Sequence, residues 1–157
     1  MTYEVLSAAH ASELLEALSD PRVNRYFPQP EAATLPEMER QVRLLCAGPK
    51  DGAGQWLNFV VRLDGGGLIG RLEATLADGS AEIAFLFHPD AWGFGYASEA
   101  VHWLTGYCRT RLGIGSFWAA VHPDNTRSAR LLLRLGFRDC GTGGDVRWPG
   151  YLIFRSD

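Results

Sequence analysis

Residues 92–98 read Trp-Gly-Phe-Gly-Tyr-Ala-Ser, with two glycines two apart between an apolar run and a run of helical period. Glycine lets the backbone adopt positive φ and come close to a ligand. Successive N–H groups in such a turn, added to the unpaired N–H groups of a helix's first turn, make an anion site. The helix dipole favours a phosphate there. The chemistry indicated is phosphate binding by main chain, with no lysine required. The plainer alternative is a strand–helix turn whose glycines serve packing. The dinucleotide fingerprint wants a third glycine or alanine where Ser98 stands, and an acidic residue about 20 positions on, where Asp124 falls late. The Walker pattern fails because no Gly-Lys-Ser/Thr is present.

The tripeptide His-Pro-Asp occurs twice, at 88–90 and 122–124, each time closing a strand-like run. Proline lacks an N–H and restrains its predecessor, so each strand stops there. His88 and His122 have no ligand spacing around them, and the expectation for both is a surface loop. Cys46, Cys108 and Cys140 are odd in number and far apart. That pattern argues against a disulfide framework and a zinc site.

The elements that must position these groups follow from periodicity. A short strand at 2–6 precedes a helix at 9–18, and prolines bound a loop at 20–30. Thr34 and Glu37 have capping-box spacing and open a helix running to about Ala47. Strands at 55–63, 68–76 and 81–87 are joined by the turns 64–67 and 78–80 as an antiparallel meander. Ala97, Ala100, Val101, Leu104, Tyr107, Cys108 and Leu112 mark a helix, 116–121 a strand, and 125–137 a helix capped by Asn125 and ended by Gly136. A last strand covers 148–155. Strand–helix–strand from 81 to 121 predicts a crossover between parallel neighbours. The fold class expected is therefore α/β, a mixed sheet with antiparallel N-terminal strands and a central parallel pair. If those two strands are parallel, both His-Pro-Asp corners face the rim where open α/β sheets bind ligands.

The chain has 157 residues, 46% of them hydrophobic and 21% charged, with a net charge of -3. That length fits one domain spanning 1–157 with a substantial core. The charge gives no argument for nucleic acid or an anionic membrane as partner. Without a basic n-region or a long apolar run, the sequence predicts a soluble, cytoplasmic chain. It leaves monomer and homodimer equally open.

Residues 81–137 closely resemble the GNAT acetyltransferase superfamily, particularly its RimJ/RimL-type branch. The resemblance lies in the loop Trp92-Gly93-Phe94-Gly95-Tyr96-Ala97, with Trp92 where Gln or Arg is usual, followed by helix, strand, and the Asn125, Ser128, Gly136, Phe137 helix. It implies acetyl-CoA as donor, CoA as product, and a small-molecule or peptide amine as acceptor. Gly93, Phe94, Gly95, Tyr96, Ala97 and Ser98 would hold the pyrophosphate. Phe85, Leu86 and Phe87 would pair with the pantetheine arm, and Asn125 would hydrogen-bond it. Among Arg127, Arg130 and Arg134, one contact with the donor's phosphate is expected, and Arg130 is the choice.

Acetyl transfer to an amine needs an acceptor for the amine's proton. Glu82 is the candidate general base, at a position similar to a base used by part of the superfamily. Glu73 and ordered water are rivals, and Arg71 is the neighbour expected to pair with Glu82 if its role is structural. Many members carry an acidic tyrosine seven residues after the Asn, where this chain has Leu132. Ser128 is the substitute chosen, with Tyr151 a second. Tyr26 and Phe27 fall where the family's acceptor-side loop lies and are the candidate acceptor-binding residues. Leu132 also keeps open the reading of a non-catalytic acyl-CoA-binding sensor or regulatory module.

Overall fold

Strands alternate their side chains between two faces, and the apolar residues here sort accordingly. In a computed structural model, which describes all residues except 28–31, 51, 53 and 144–146, seven strands form one sheet. They are β1 (Thr2–Val5), β2 (Gln55–Arg62), β3 (Leu68–Ala77), β4 (Ser80–Phe87), β5 (Ser116–Val121), β6 (Arg138–Thr142) and β7 (Leu152–Ser156), in spatial order β1-β2-β3-β4-β5-β7-β6. β1 to β4 are antiparallel, β4 and β5 are parallel, and β7 returns antiparallel between β5 and β6. This is the mixed sheet with a central parallel pair that the sequence predicts.

Val60 and Leu86 pack with Leu14 and Leu18 of α1 (Ala11–Leu18) and with Met38 and Val42 of α3 (Leu35–Ala47). Their chain neighbours Val61 and Phe87 pack instead with Val101 and Leu104 of α4 (Tyr96–Leu112) and Leu131 and Leu132 of α5 (Thr126–Arg134). Consecutive residues point to opposite faces, so α1 and α3 cover one side of the sheet and α4 and α5 the other. The capping box of α3 is present, with the Ala33 and Thr34 N–H groups donating to Glu37 Oε2 at 3.0 Å. A one-turn helix, α2 (Pro21–Asn24), lies within the expected loop, and the rest of that loop at 28–30 is outside the described residues. Its cap is Asp20, whose carboxylate accepts from Arg22 N at 2.8 Å.

Two elements differ from expectation. β6 was not anticipated, because all five of its residues are exposed and it carries no apolar alternation. The last strand begins at Leu152 rather than at 148. Pro149 cannot donate to a ladder, and Gly150 turns the chain at φ +79°. Residues 147–151 therefore form a turn over the end of the sheet instead of extending it.

Candidate functional site

The parallel pair comes apart. β4 and β5 are in register at Ser80–Ser116, Ala81–Phe117 and Glu82–Trp118, and no further. Both strands continue, to Phe87 and Val121. The His88 N–H donates to Ile69 O of the β3 side at 2.8 Å. Alternation then directs the main-chain groups of Phe85 and Phe87 the other way, towards β5. In the gap, the Trp92 indole N–H donates to Phe87 O at 2.9 Å, occupying an acceptor that a paired strand would have used. A cleft of about 360 Å³ fills the space between the strands.

One end of the cleft is built for an anion. Gly93 and Gly95 have φ +89° and +86°, values that side chains with a Cβ rarely adopt. Gly95 is the N-cap of α4, and no side chain caps that helix. The first intrahelical bond is from Glu99 N to Gly95 O, at 3.0 Å. The N–H groups of Tyr96, Ala97 and Ser98 therefore lack a helical acceptor. Ala97 lines the cleft, and Phe94 is 71% exposed. Arg127, on α5, stacks its guanidinium 3.9 Å above the Trp92 ring and lines the cleft. Arg127 has no carboxylate partner among the described residues. Arg130 is exposed and is not among the lining residues. Asn125 lines the cleft and caps α5 through Oδ1, which accepts from Ser128 N at 3.2 Å. Its amide NH₂ has no partner among the described residues and can donate into the cleft.

The other end carries a half-buried carboxylate. Glu82, Ala84 and Leu86 are on the α1/α3 side of β4, and Glu82 is 13% exposed. Its Oε1 accepts from the Trp148 indole at 2.6 Å and its Oε2 from Arg147 at 2.9 Å. Arg71 does not serve Glu82 as expected, because it is paired with Glu73 at 2.6 Å. Tyr26 and Phe27 line this end together with His122, Trp148 and Tyr151. The Tyr151 hydroxyl donates to Tyr26 O at 2.7 Å, tying the α2 loop to the last turn. Burial pushes the Tyr151 phenol above its ordinary pKa, which keeps it a donor at neutral pH. His122, expected on the surface, lies between the Tyr26 and Tyr151 rings at 5.3 and 5.4 Å. Its Nδ1 accepts from Asp124 N at 3.2 Å, so the neutral ring carries its proton on Nε2.

Leu132 is wholly buried in the core. The position that carries an acidic tyrosine in relatives is thus packed away from the cleft here, and Ser128 and Leu131 face it instead. Among the described residues no group of three or more His, Cys, Asp or Glu could hold a metal ion. No described helix is long and apolar enough to cross a membrane.

The profile of the acetyltransferase (GNAT) domain family matches residues 2–138. The chain belongs to the GNAT acetyltransferase family. This acetyltransferase is 28% identical over 144 residues to the uncharacterized N-acetyltransferase p20 of Bacillus licheniformis, a match covering 90% of this chain and 80% of that one. It superimposes on spermidine N-acetyltransferase from Vibrio cholerae, crystallised with CoA and spermine, with a TM-score of 0.76 at 19% identity, over 98% of this chain and 92% of that one. Ribosomal-protein-S5-alanine acetyltransferase from Vibrio fischeri gives a TM-score of 0.77 at 16% identity, over 98% and 91%. These two likenesses show the fold. Family membership makes the chain an acyltransferase enzyme, which removes the reading of a non-catalytic binding module.

Sequence reasoning missed Arg22, Arg25 and Arg147 at the acceptor end, although Trp148 was read as core or crevice lining and does line the cleft. The three arginines come from segments with no motif, and closure of the chain brings Arg147 to Glu82 and Arg22 and Arg25 to the lining of the same cleft.

Proposed function

We propose that this acetyltransferase uses acetyl-CoA to N-acetylate a primary amine, on a protein N-terminus or a small molecule, as a single domain of the RimJ/RimL-type branch. The observation that carries this reading is the gap between β4 and β5, with unsatisfied helix amides at one end and a carboxylate at the other. The residues present fit the donor. The amides of Tyr96, Ala97 and Ser98 would hold its pyrophosphate, with Gly93 and Gly95 giving the turn its left-handed path. Arg127 would meet a phosphate, replacing Arg130 in that role. The main-chain groups of Phe85 and Phe87 and the Asn125 amide would align the pantetheine arm.

Bound acetyl-CoA supplies an acetyl group activated as a thioester, and its transfer to nitrogen forms an amide and frees the thiol. Glu82, whose carboxylate accepts from Trp148 and Arg147, draws the ammonium of the acceptor to its negative charge. It receives the proton that the amine must shed before it attacks. The proton then passes on to water in the open cleft. The thiol's ordinary pKa of about 8.5 lets it leave as thiolate without an acid. Activity therefore needs no tyrosine at position 132, and Ser128 serves the arm as a hydroxyl donor.

Titration calorimetry with CoA, followed by thiol release from acetyl-CoA across an amine panel, tests the reading. Binding of CoA and acceptor-dependent release are expected. An absence of heat or thermal shift with CoA would overturn it.

A further inference from the structure

Arg127 is held by a ring rather than by a carboxylate. Arg22, also in the cleft lining, spends its donors on Asp20, with bonds from Nε at 3.0 Å and from Nη2 at 2.6 Å. Arg127 has no such partner among the described residues, and its guanidinium carbon lies 3.9 Å from the centroid of the Trp92 ring. A ring face attracts a guanidinium through its quadrupole and leaves the in-plane N–H groups unused. Held by its face, Arg127 keeps its five-donor fork open, whereas a carboxylate would occupy that fork.

The ring is itself fixed. The Trp92 N–H donates to Phe87 O at 2.9 Å, and the side chain packs against the core on the α4/α5 side of the sheet. Trp92 also precedes Gly93 directly, so it stands at the entrance of the turn whose glycines have φ +89° and +86°. Trp92, Arg127 and Ala97 all line the cleft. An exposed arginine of α5 is thereby kept beside the amide turn instead of ranging through the surrounding water. Its ordering is complete before a ligand arrives, which favours binding.

Resting on the acetyl-transfer reading above, we infer that Trp92 is a positioning residue for the donor. Its ring holds the Arg127 fork at the glycine turn, and there the fork meets the diphosphate gripped by the amides of residues 96–98, not the phosphate on the donor's ribose. A planar fork suits two neighbouring phosphate oxygens. Trp92 acts only through Arg127 in this role.

The test is calorimetry with CoA and with dephospho-CoA, which lacks the ribose phosphate, on a double-mutant cycle of Trp92→Leu and Arg127→Gln. Arg127→Gln should weaken both ligands by the same factor, about fivefold, as suits one partly exposed ion pair. Trp92→Leu should weaken both about two- to fivefold, as suits an exposed cation–π contact, and should add little once Arg127→Gln is present. Arg127→Lys keeps the charge without the fork and should still lose about two- to threefold. Arg130→Gln removes the same charge from the same helix and should change neither affinity. Trp92→Phe keeps an apolar ring without the N–H tether; it takes the place of Trp92→Leu in the cycle if the leucine variant does not fold. Additive losses in the cycle, parental affinity in Arg127→Lys, or equal losses in Arg127→Gln and Arg130→Gln would overturn the inference. So would a loss confined to CoA, or dephospho-CoA binding too weak to measure, since either puts the critical anion at the far end of the donor. A parent protein that binds neither ligand would instead remove the acetyl-transfer reading beneath it.

Discussion

Gly95→Ala is the most direct probe of the amide turn. An alanine Cβ at this position would meet nothing within 4 Å, so no clash contributes. The whole cost is conformational, because φ is +86° and ψ is −6°. Holding an L-residue in that left-handed region costs about 1–2 kcal/mol. If the turn keeps its shape, the cost falls on folding, and the melting temperature of a chain this size drops by about 2–8 °C. If the turn relaxes in the free protein, the cost moves to ligand binding, and CoA binds about 5- to 30-fold more weakly. Calorimetry with CoA and thermal melting of the same samples should give two losses that together equal the one conformational cost. Gly106→Ala is the control within the same helix. Gly106 also has no neighbour within 4 Å of a built Cβ, outside the helix's own backbone, but its backbone is helical. That change should stabilise by about 0.4–1 kcal/mol and leave CoA affinity alone. A Gly95→Ala protein with parental affinity and parental melting would refute the reasoning, as would equal losses in both variants.

Glu82→Gln keeps the shape and removes the charge. It should lower kcat/KM by about 100-fold or more, with CoA affinity in calorimetry little changed. Tyr151→Phe deletes the 2.7 Å bond to Tyr26 O. It should cost about 0.5–1.5 kcal/mol in chemical denaturation and raise the acceptor's KM more than the donor's. Asp20 is held down to about 2, from its ordinary 3.8, by its side-chain bonds to Arg22 and by the Arg22 N–H. A folded-state pKa below the unfolded one means that its contribution is complete above pH 4 and is lost as pH falls from about 4 towards 2. Carboxyl NMR titration should find its midpoint near 2, and a midpoint near 3.8 would show the cap absent in solution.

The parts of this site that were legible in the sequence are those made by one stretch of chain. The turn 92–98, the cap at Asn125 and the edge residues 85–87 are local features, set by glycine conformation, capping chemistry and strand period. Glu82 was legible as a carboxylate on the right strand, though not its partners. Arg147 and Trp148 approach it from 65 and 66 residues away, and no period or motif announces a contact at that separation. Choosing Arg130 rather than Arg127 shows the same limit. Helical spacing places both on α5, but only packing against Trp92 tells which one faces the cleft. His122 read as a loop residue because proline follows it, and the two tyrosines that enclose it are remote in sequence. β6 escaped notice because an exposed edge strand needs no apolar alternation.

The parting of β4 from β5 also bears on how the sheet exchanges its protons with solvent. β4 is the middle of seven strands, where backbone deuteration is ordinarily slowest. Yet the Phe85 amide faces the gap, whereas Val60, two strands outward, is completely buried and paired on both sides. Phe85 should therefore take up deuterium sooner than Val60, and slow markedly once CoA is added. The centre of this sheet is an open seam until a guest molecule completes it.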